Sequence, residues 1–275
     1  MHTLATKKLG DLVGVEVTGV DVDRLLTDDA LPAALLDLLE QHSVILFREL
    51  HIDDPAQVAF CRRLGELALF PKYRIPEVME ISFEPDNPNK EYFASNDYWH
   101  IDGALDAIPA KASVLTAHVT AAQGGETEFA STYAAYDALS DEEKEYFGTL
   151  RVVHTFEAIQ RLTYPNPTED QVAEWASRAA RELPLVWEHE SGRRSMVFGA
   201  TASHIVGMDI DEGRALLRDL ERRATAPDLV YRHSWSVGDT VIWDNTGLMH
   251  RACTFDREKP RRMHRSTLIG TEPIQ

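Results

Sequence analysis

The sequence predicts a mainly β protein with flanking helices, of the sandwich or jelly-roll kind. Three observations carry this. Short segments rich in β-branched and aromatic residues gather in two blocks, 92–131 and 195–270. Gly124-Gly125 and Gly238-Asp239 punctuate them as turns. The segments do not alternate regularly with helical patterns, as a doubly wound α/β sheet would require.

Taken in order, Leu31, Leu35, Leu38 and Leu39 form an apolar stripe at helical spacing. Ser43 to Phe47 is short and continuously apolar, which predicts a strand buried on both faces. Asp54 and Pro55 read as the N-cap and first position of a helix with Val58, Cys61 and Leu64 on one face. Strands are predicted over Ala112 to Thr120 and Glu126 to Ala130. Ser140 with Glu143 and Thr168 with Gln171 have capping-box spacing. Asp209 opens a helix carrying Leu216, Leu217 and Leu220. Further strands are predicted at Val230 to Trp235, Thr240 to Trp243 and Ser266 to Ile269.

The 275 residues, 44% of them hydrophobic, suffice for one sizeable core. No repeat, low-complexity tract or Gly/Ser linker interrupts them, so one domain over 1–275 is expected. Lys plus Arg number 28 against 45 Asp plus Glu, a formal net charge of -17. Such a surface repels phosphate backbones and anionic lipids, which argues against nucleic acid or membrane as partner. An anionic small molecule would need a local basic pocket. Two cysteines, Cys61 and Cys253, provide no disulfide framework and suggest a reducing compartment. Cys253 is expected to be a small buried hydrophobe. Met1 to Gly10 has no apolar signal core and no run reaches membrane-spanning length, so a cytoplasmic protein is expected.

The most informative segment is Asn96-Asp97-Tyr98-Trp99-His100-Ile101-Asp102-Gly103. On a strand, His100 and Asp102 would point to one face and could chelate one ion. A lone His-x-Asp also occurs by chance, and eleven histidines compete to be the third ligand. His250 is the best of them, because the turn and strand before it, Gly238 to Asn245, would return it to the barrel mouth. Two imidazoles and one carboxylate form the facial set of non-haem iron(II) oxygenases. They leave three positions, two for a bidentate 2-oxo acid and one for O2. His2, His42, His51, His118, His154, His189, His204 and His233 read as satisfied core or surface histidines.

A dianionic co-substrate needs a fixed cation, best an arginine. Arg261, Arg262 and Arg265 follow His250 closely. On a strand, Arg261, Met263 and Arg265 would share a face and Arg262 would point away. A solvated basic patch is the plainer alternative, though less expected in so acidic a chain. Thr127 is the candidate hydroxyl to complete the clamp.

These motifs together resemble the taurine dioxygenase and 2,4-dichlorophenoxyacetate dioxygenase family over most of the chain. They are Trp99-His100-Ile101-Asp102, Gly124 to Phe129, Trp243-Asp244-Asn245 with His250, and Arg261 to Thr267, in that order. The Ser43 to Arg48 strand is similar to a family segment as well, and Phe198 to His204 followed by Gly207 leans towards the phenoxyacetate branch. The resemblance implies a double-stranded β-helix (a cupin-like jelly roll), Fe(II), 2-oxoglutarate and O2. It implies that His100, Asp102 and His250 hold iron, and that Thr127 and Arg261 grip the distal carboxylate of 2-oxoglutarate. It places Asn96, Tyr73 and Arg265 near the prime substrate, with Arg265 shared with the co-substrate. Phe70 stands where taurine-type enzymes carry a histidine, which argues against a sulfonate such as taurine. Related halogenases replace the carboxylate with a small residue, so Asp102 favours oxygen transfer.

The expected activity is hydroxylation, or cleavage through hydroxylation, of a small organic anion such as a carboxylate, with release of succinate and CO2. Lys72, Arg74 and Arg262 are possible helpers for the anion, and Phe70, Tyr73, Tyr98 and Trp99 a possible apolar wall. Radical desaturation or cyclisation is the alternative outcome. Rival readings are a zinc or manganese cupin-type isomerase or hydrolase and a non-catalytic jelly-roll binding module. A homo-oligomer is expected.

Overall fold

The computed structural model describes residues 4–90 and 92–275; His2 lies outside them. In chain order the strands are β1 (Ala5–Lys8), β2 (Val15–Thr18), β3 (Val44–Phe47), β4 (Met79–Ser82), β5 (Ala112–Val119), β6 (Thr127–Ser131), β7 (Arg151–His154), β8 (Arg181–Pro184), β9 (Val186–Glu188), β10 (Arg194–Met196), β11 (Ala202–Ile205), β12 (Val230–His233), β13 (Thr240–Asp244), β14 (Leu248–Ala252) and β15 (Arg262–Leu268). The helices are α1 (Val22–Thr27), α2 (Leu31–His42), α3 (Asp54–Leu64), α4 (Thr132–Asp137), α5 (Asp141–Phe147), α6 (Phe156–Thr163), α7 (Glu169–Ala176) and α8 (Ile210–Ala224).

Two sheets build a jelly roll. The larger has seven strands in the order β1-β2-β3-β13-β5-β15-β4, the smaller three in the order β12-β6-β14. Every pairing in them is antiparallel except β2 with β3. Side chains alternate between two cores, as the two-residue repeat of a strand demands. Leu46, Leu115, Val241, Trp243 and Met263 of the large sheet meet Phe129, Tyr231 and Leu248 of the small sheet inside the roll. Ile45, Phe47, Val114, Ile242 and Leu268 point the other way, against α1, α2 and α3. This double burial is why the strand segments read as continuous apolar runs. The far face of the small sheet packs Ala130 and Met249 against Phe198, Leu217 and Leu220.

The predicted strands and helices are present with bounds shifted by a residue or two, except that the last strand begins at Arg262, four residues before the expected Ser266. Ser140 and Thr168 form the expected capping boxes and Asp209 caps α8. The cap of α3 differs: Asp53 accepts from the Ala56 amide at 2.9 Å, and Asp54 is already helical. Residues 92–111 of the first predicted strand block hold instead a 3-10 turn (Tyr92–Asp97) and an irregular loop. Cys61 is buried, but Cys253 is half-exposed rather than buried, and both are free thiols. Among the described residues no helix is long and apolar enough to cross a membrane.

Candidate metal and co-substrate site

His100 and Asp102 do not lie on a regular strand, contrary to expectation. His100 makes a single bridge to His250, and Asp102 opens a turn. The bridge is reciprocal: the His100 amide donates to the His250 carbonyl at 3.1 Å, and the His250 amide donates back at 3.0 Å. The two-residue spacing still works. Trp99 and Ile101 sink into the core beyond the small sheet, so the intervening His100 faces the roll. On β14 the same alternation buries Met249 in that core and turns His250 inward, 4.8 Å from the Trp243 ring.

The three side chains converge. One ligand atom from each of His100, Asp102 and His250 lies within 4.8 Å of the others. His100 Nε2 is 3.8 Å from Asp102 Oδ1, and His250 Nε2 is 3.8 Å from Asp102 Oδ2. The His100 Nδ1–H donates to the Tyr98 carbonyl at 2.7 Å, which leaves Nε2 as a lone pair aimed at the site. Burial pushes the His250 imidazole down to about 3, with His100 adding to the effect, so its ring is neutral at physiological pH. Burial alone would push the Asp102 carboxyl up. The Arg265 guanidinium and the two imidazoles outweigh it and hold that carboxyl far below its ordinary range. Two imidazoles and one carboxylate on one face are a donor set suited to Fe(II), and among the described residues no cysteine joins them.

Two residues given no role from sequence hold the carboxylate. Ser113 Oγ donates to Asp102 Oδ2 at 3.1 Å, and Asn245 Nδ2 donates to Ser113 Oγ at 3.0 Å. Asn245 stood inside the Trp243-Asp244-Asn245 motif, and only that context could have signalled it. Gly199 also matters. Its φ is +107°, and a Cβ there would lie 2.8 Å from the Trp99 carbonyl. Only glycine lets 199–200 run this close to the backbone that presents His100.

Arg261 is buried, and its NH2 group donates to the Gly125 carbonyl at 3.1 Å. Burial pushes its guanidinium down to about 10, still cationic at neutral pH. The register shift opposite Arg262 and Met263 lies on β5, and 262–265 pair with β4 in regular register, so the alternation expected along this strand holds. Thr127 is buried on β6, and its Oγ1 accepts from Trp235 Nε1 at 3.0 Å. Arg265 is half-buried and donates to Asp102 Oδ2 at 2.9 Å. Asn96 is half-buried in the 3-10 turn. The Tyr73 hydroxyl accepts from Asn89 Nδ2 at 2.9 Å, and its ring and Phe70 pack against the core inside the roll. Lys72 and Arg74 are solvent-exposed. Trp99 faces the outer core beneath the Arg251 guanidinium, not the metal ligands. The Tyr98 hydroxyl donates to the Leu162 carbonyl. Of the four aromatics expected as an apolar wall, Phe70 and Tyr73 lie against the core inside the roll.

Fold and donor set define a jelly-roll oxygenase of the Fe(II)/2-oxoglutarate class. Comparison with known proteins agrees: residues 5–267 match the family described as "Taurine catabolism dioxygenase TauD, TfdA family", and the chain belongs to it. It is 34% identical over 270 residues to the alpha-ketoglutarate-dependent 2,4-dichlorophenoxyacetate dioxygenase of Burkholderia sp. (strain RASC), covering 90% of each chain. It is 33% identical to the (S)-phenoxypropionate/alpha-ketoglutarate-dioxygenase of Sphingobium herbicidovorans, covering 94% of this chain and 92% of that one. The crystal structure of AAD-2 in complex with Mn(II) and N-oxalylglycine is similar in fold, with a TM-score of 0.85 and 32% identity, over 99% of this chain and 100% of that one. The protein is an Fe(II)- and 2-oxoglutarate-dependent dioxygenase that uses O2. Family membership sets aside both the non-oxidative cupin enzyme and the non-catalytic module.

Proposed function

We propose that this dioxygenase, as one domain over residues 1–275, hydroxylates a small organic carboxylate of the aryloxyalkanoate kind. Hydroxylation at a carbon bearing an ether oxygen would lead to its cleavage. His100, Asp102 and His250 hold the iron, and Thr127 and Arg261 hold the distal carboxylate of 2-oxoglutarate. When bound, the iron supplies O2 activation coupled to decarboxylation of the keto acid.

The protein's own residues do the rest. Arg261 is a cation fixed in a dry setting, which makes its fork strong and selective for a carboxylate. The Ser113–Asn245 relay orients the Asp102 carboxylate so that the ligand face is set before anything binds. Arg265 takes the substrate carboxylate, placing the adjacent carbon beside the metal, with Asn96 and Tyr73 lining the approach. Phe70, in place of a polar side chain, makes that approach apolar.

The observation that carries the substrate reading is the Arg265 guanidinium, 13% exposed, at 2.9 Å from the Asp102 carboxylate. It is a local cation beside the ligand set of a protein whose net charge is -17. The relatives named for phenoxyacetate and phenoxypropionate support an aryloxy acid. Two free thiols fit a reducing, cytoplasmic setting. The test is succinate release with Fe(II), 2-oxoglutarate and a panel of aryloxy acids, alkyl sulfates, sulfonates and amino acids. Stimulation by aryloxy acids above all others is expected, and stimulation by sulfonates alone would overturn the reading.

A further inference from the structure

Outside the roll, on the opposite face of the large sheet, Asp54, His118 and His264 bring one possible ligand atom each to within 4.8 Å of the others. We infer that this cluster, with Glu80 beside it, is a second binding site for a divalent transition metal of the zinc kind. It does not depend on the roles assigned at the first site.

The strand register builds it. Met263 points into the roll, so His264 faces outward towards α3, as Ser266 does where Gln57 of α3 donates to its hydroxyl at 3.0 Å. Glu80 on β4 pairs directly with His264. On the other side, Arg262 pairs with Val119 and Met263 with Ala117, so His118 is the extra residue of a β-bulge. Bulges re-aim side chains, and this one sets the His118 ring 4.0 Å from that of His264.

The fourth element is α3. Because Asp53 caps the helix, the Asp54 carboxylate is free to turn to the sheet. The His264 Nδ1–H donates to Asp54 Oδ1 at 2.5 Å, and His118 Nε2 lies 3.7 Å from the same oxygen. His264 Nε2 lies 3.8 Å from Glu80 Oε2. The Nε2 atoms of His118 and His264 are both buried and lack a hydrogen-bond partner among the described residues.

Two imidazole nitrogens without hydrogen-bond partners, beside two carboxylates, form a donor set suited to such an ion. Burial works against Asp54 ionising, but His264, His118 and Arg262 together hold its carboxyl below the ordinary range. Arg262 is the one cation in that set that opposes a metal. A recess of about 170 Å³ lined by Asp53, Thr116 and His118 provides an entry path. A bound ion would tie the start of α3 to β4, β5 and β15.

The test is equilibrium dialysis against Zn(II), with metal analysis of the folded protein. The wild type is expected to hold two zinc ions per chain, and the His100→Ala/His250→Ala variant one. His118→Gln in that background is expected to weaken the remaining site at least about tenfold. Zn(II) should raise the Tm of the double variant, and His118→Gln should abolish the rise. In an otherwise wild-type chain, His118→Gln should leave substrate-stimulated succinate release intact. A folded double variant that binds no zinc, or a zinc unaffected by His118→Gln and by His264→Gln, would overturn the assignment.

Discussion

Arg265 and Asp102 form an ion pair of 2.9 Å in which each side chain is 13% exposed. The pair sits where the ligand set meets the approach of the substrate. A carboxylate with two oxygens can serve a metal with one and a guanidinium with the other, so Arg265 need not release Asp102 for iron to bind. Its NH2 group reaches only the Met79 sulfur, at 3.6 Å, and its Nε–H has no partner among the described residues, so donors remain for a substrate anion. Arg265→Met should raise the KM for the prime substrate about a hundredfold, the scale of losing one partner of a buried charge pair. The KM for 2-oxoglutarate should move by less than about threefold if the two arginines are divided as proposed. Arg265→Lys should fall between, since it keeps charge but not the fork. Steady-state succinate release with each substrate varied in turn reads both constants.

Arg261 should behave in the opposite way. It is 7% exposed and anchored on the Gly125 carbonyl. Arg261→Lys should raise the KM for 2-oxoglutarate about ten- to hundredfold and leave the prime-substrate KM nearly unchanged. Thr127→Val should have the same sign and a smaller size, because it removes a single hydrogen bond to the carboxylate where Arg261 offers a charged, bidentate fork. In an anaerobic titration with Fe(II) and 2-oxoglutarate, the wild type should give a weak visible charge-transfer band. His250→Ala should abolish that band. A band surviving in His250→Ala would remove that imidazole from the ligand set.

The parts of this site that were legible in the sequence are those whose chemistry is scarce. A carboxylate two residues from a histidine, and arginines gathered in an acidic chain, narrow the choices sharply. The strands were legible because both faces are buried, which makes Val44–Phe47 and Thr240–Asp244 apolar throughout. β1 was not, since all four of its residues are exposed and it pairs only as an edge. The short strands β7 to β11 were hidden for another reason: their three- and four-residue runs are too brief to show a repeat. The loop character of 98–102 was also invisible, because a single bridge between His100 and His250 imitates the side-chain placement of a strand. Ser113 and Asn245 could not be found from spacing. Their role exists only once Asp102 is folded against them.

Gly199 provides a test of how the loop around His100 is held. The Ala200 amide donates to the Trp99 carbonyl at 2.8 Å, and Gly199 has φ +107°. Gly199→Ala must therefore strain its own backbone or push the Trp99 peptide away. It should cost about 1–3 kcal/mol of stability. It should also weaken Fe(II) binding more than an equally destabilising change far from the site, since the Trp99 peptide leads directly into a ligand. Thermal unfolding with and without metal separates the two effects. Equal Tm losses in both conditions would show that the loop does not set the ligand.

His154 gives a pH dependence that does not involve the metal ligands. It is fully buried on β7, with Nδ1 2.9 Å from the Thr201 hydroxyl. Burial pushes its imidazole down to about 4 from the ordinary value of 6.5. The unfolded chain thus takes up a proton near 6.5 that the folded chain refuses until about 4. Where the unfolded state binds more protons, stability rises with pH. The contribution of His154 is therefore complete above about pH 6.5, shrinks as pH falls through the window, and is exhausted below about 4. A shift of this size corresponds to a loss on the order of 3 kcal/mol across the window. His154→Gln should flatten the slope of unfolding free energy between pH 6.5 and 4 while lowering stability at pH 7.5. Denaturant unfolding at a series of pH values checks this, and an unchanged slope in the variant would assign the acid sensitivity to other groups.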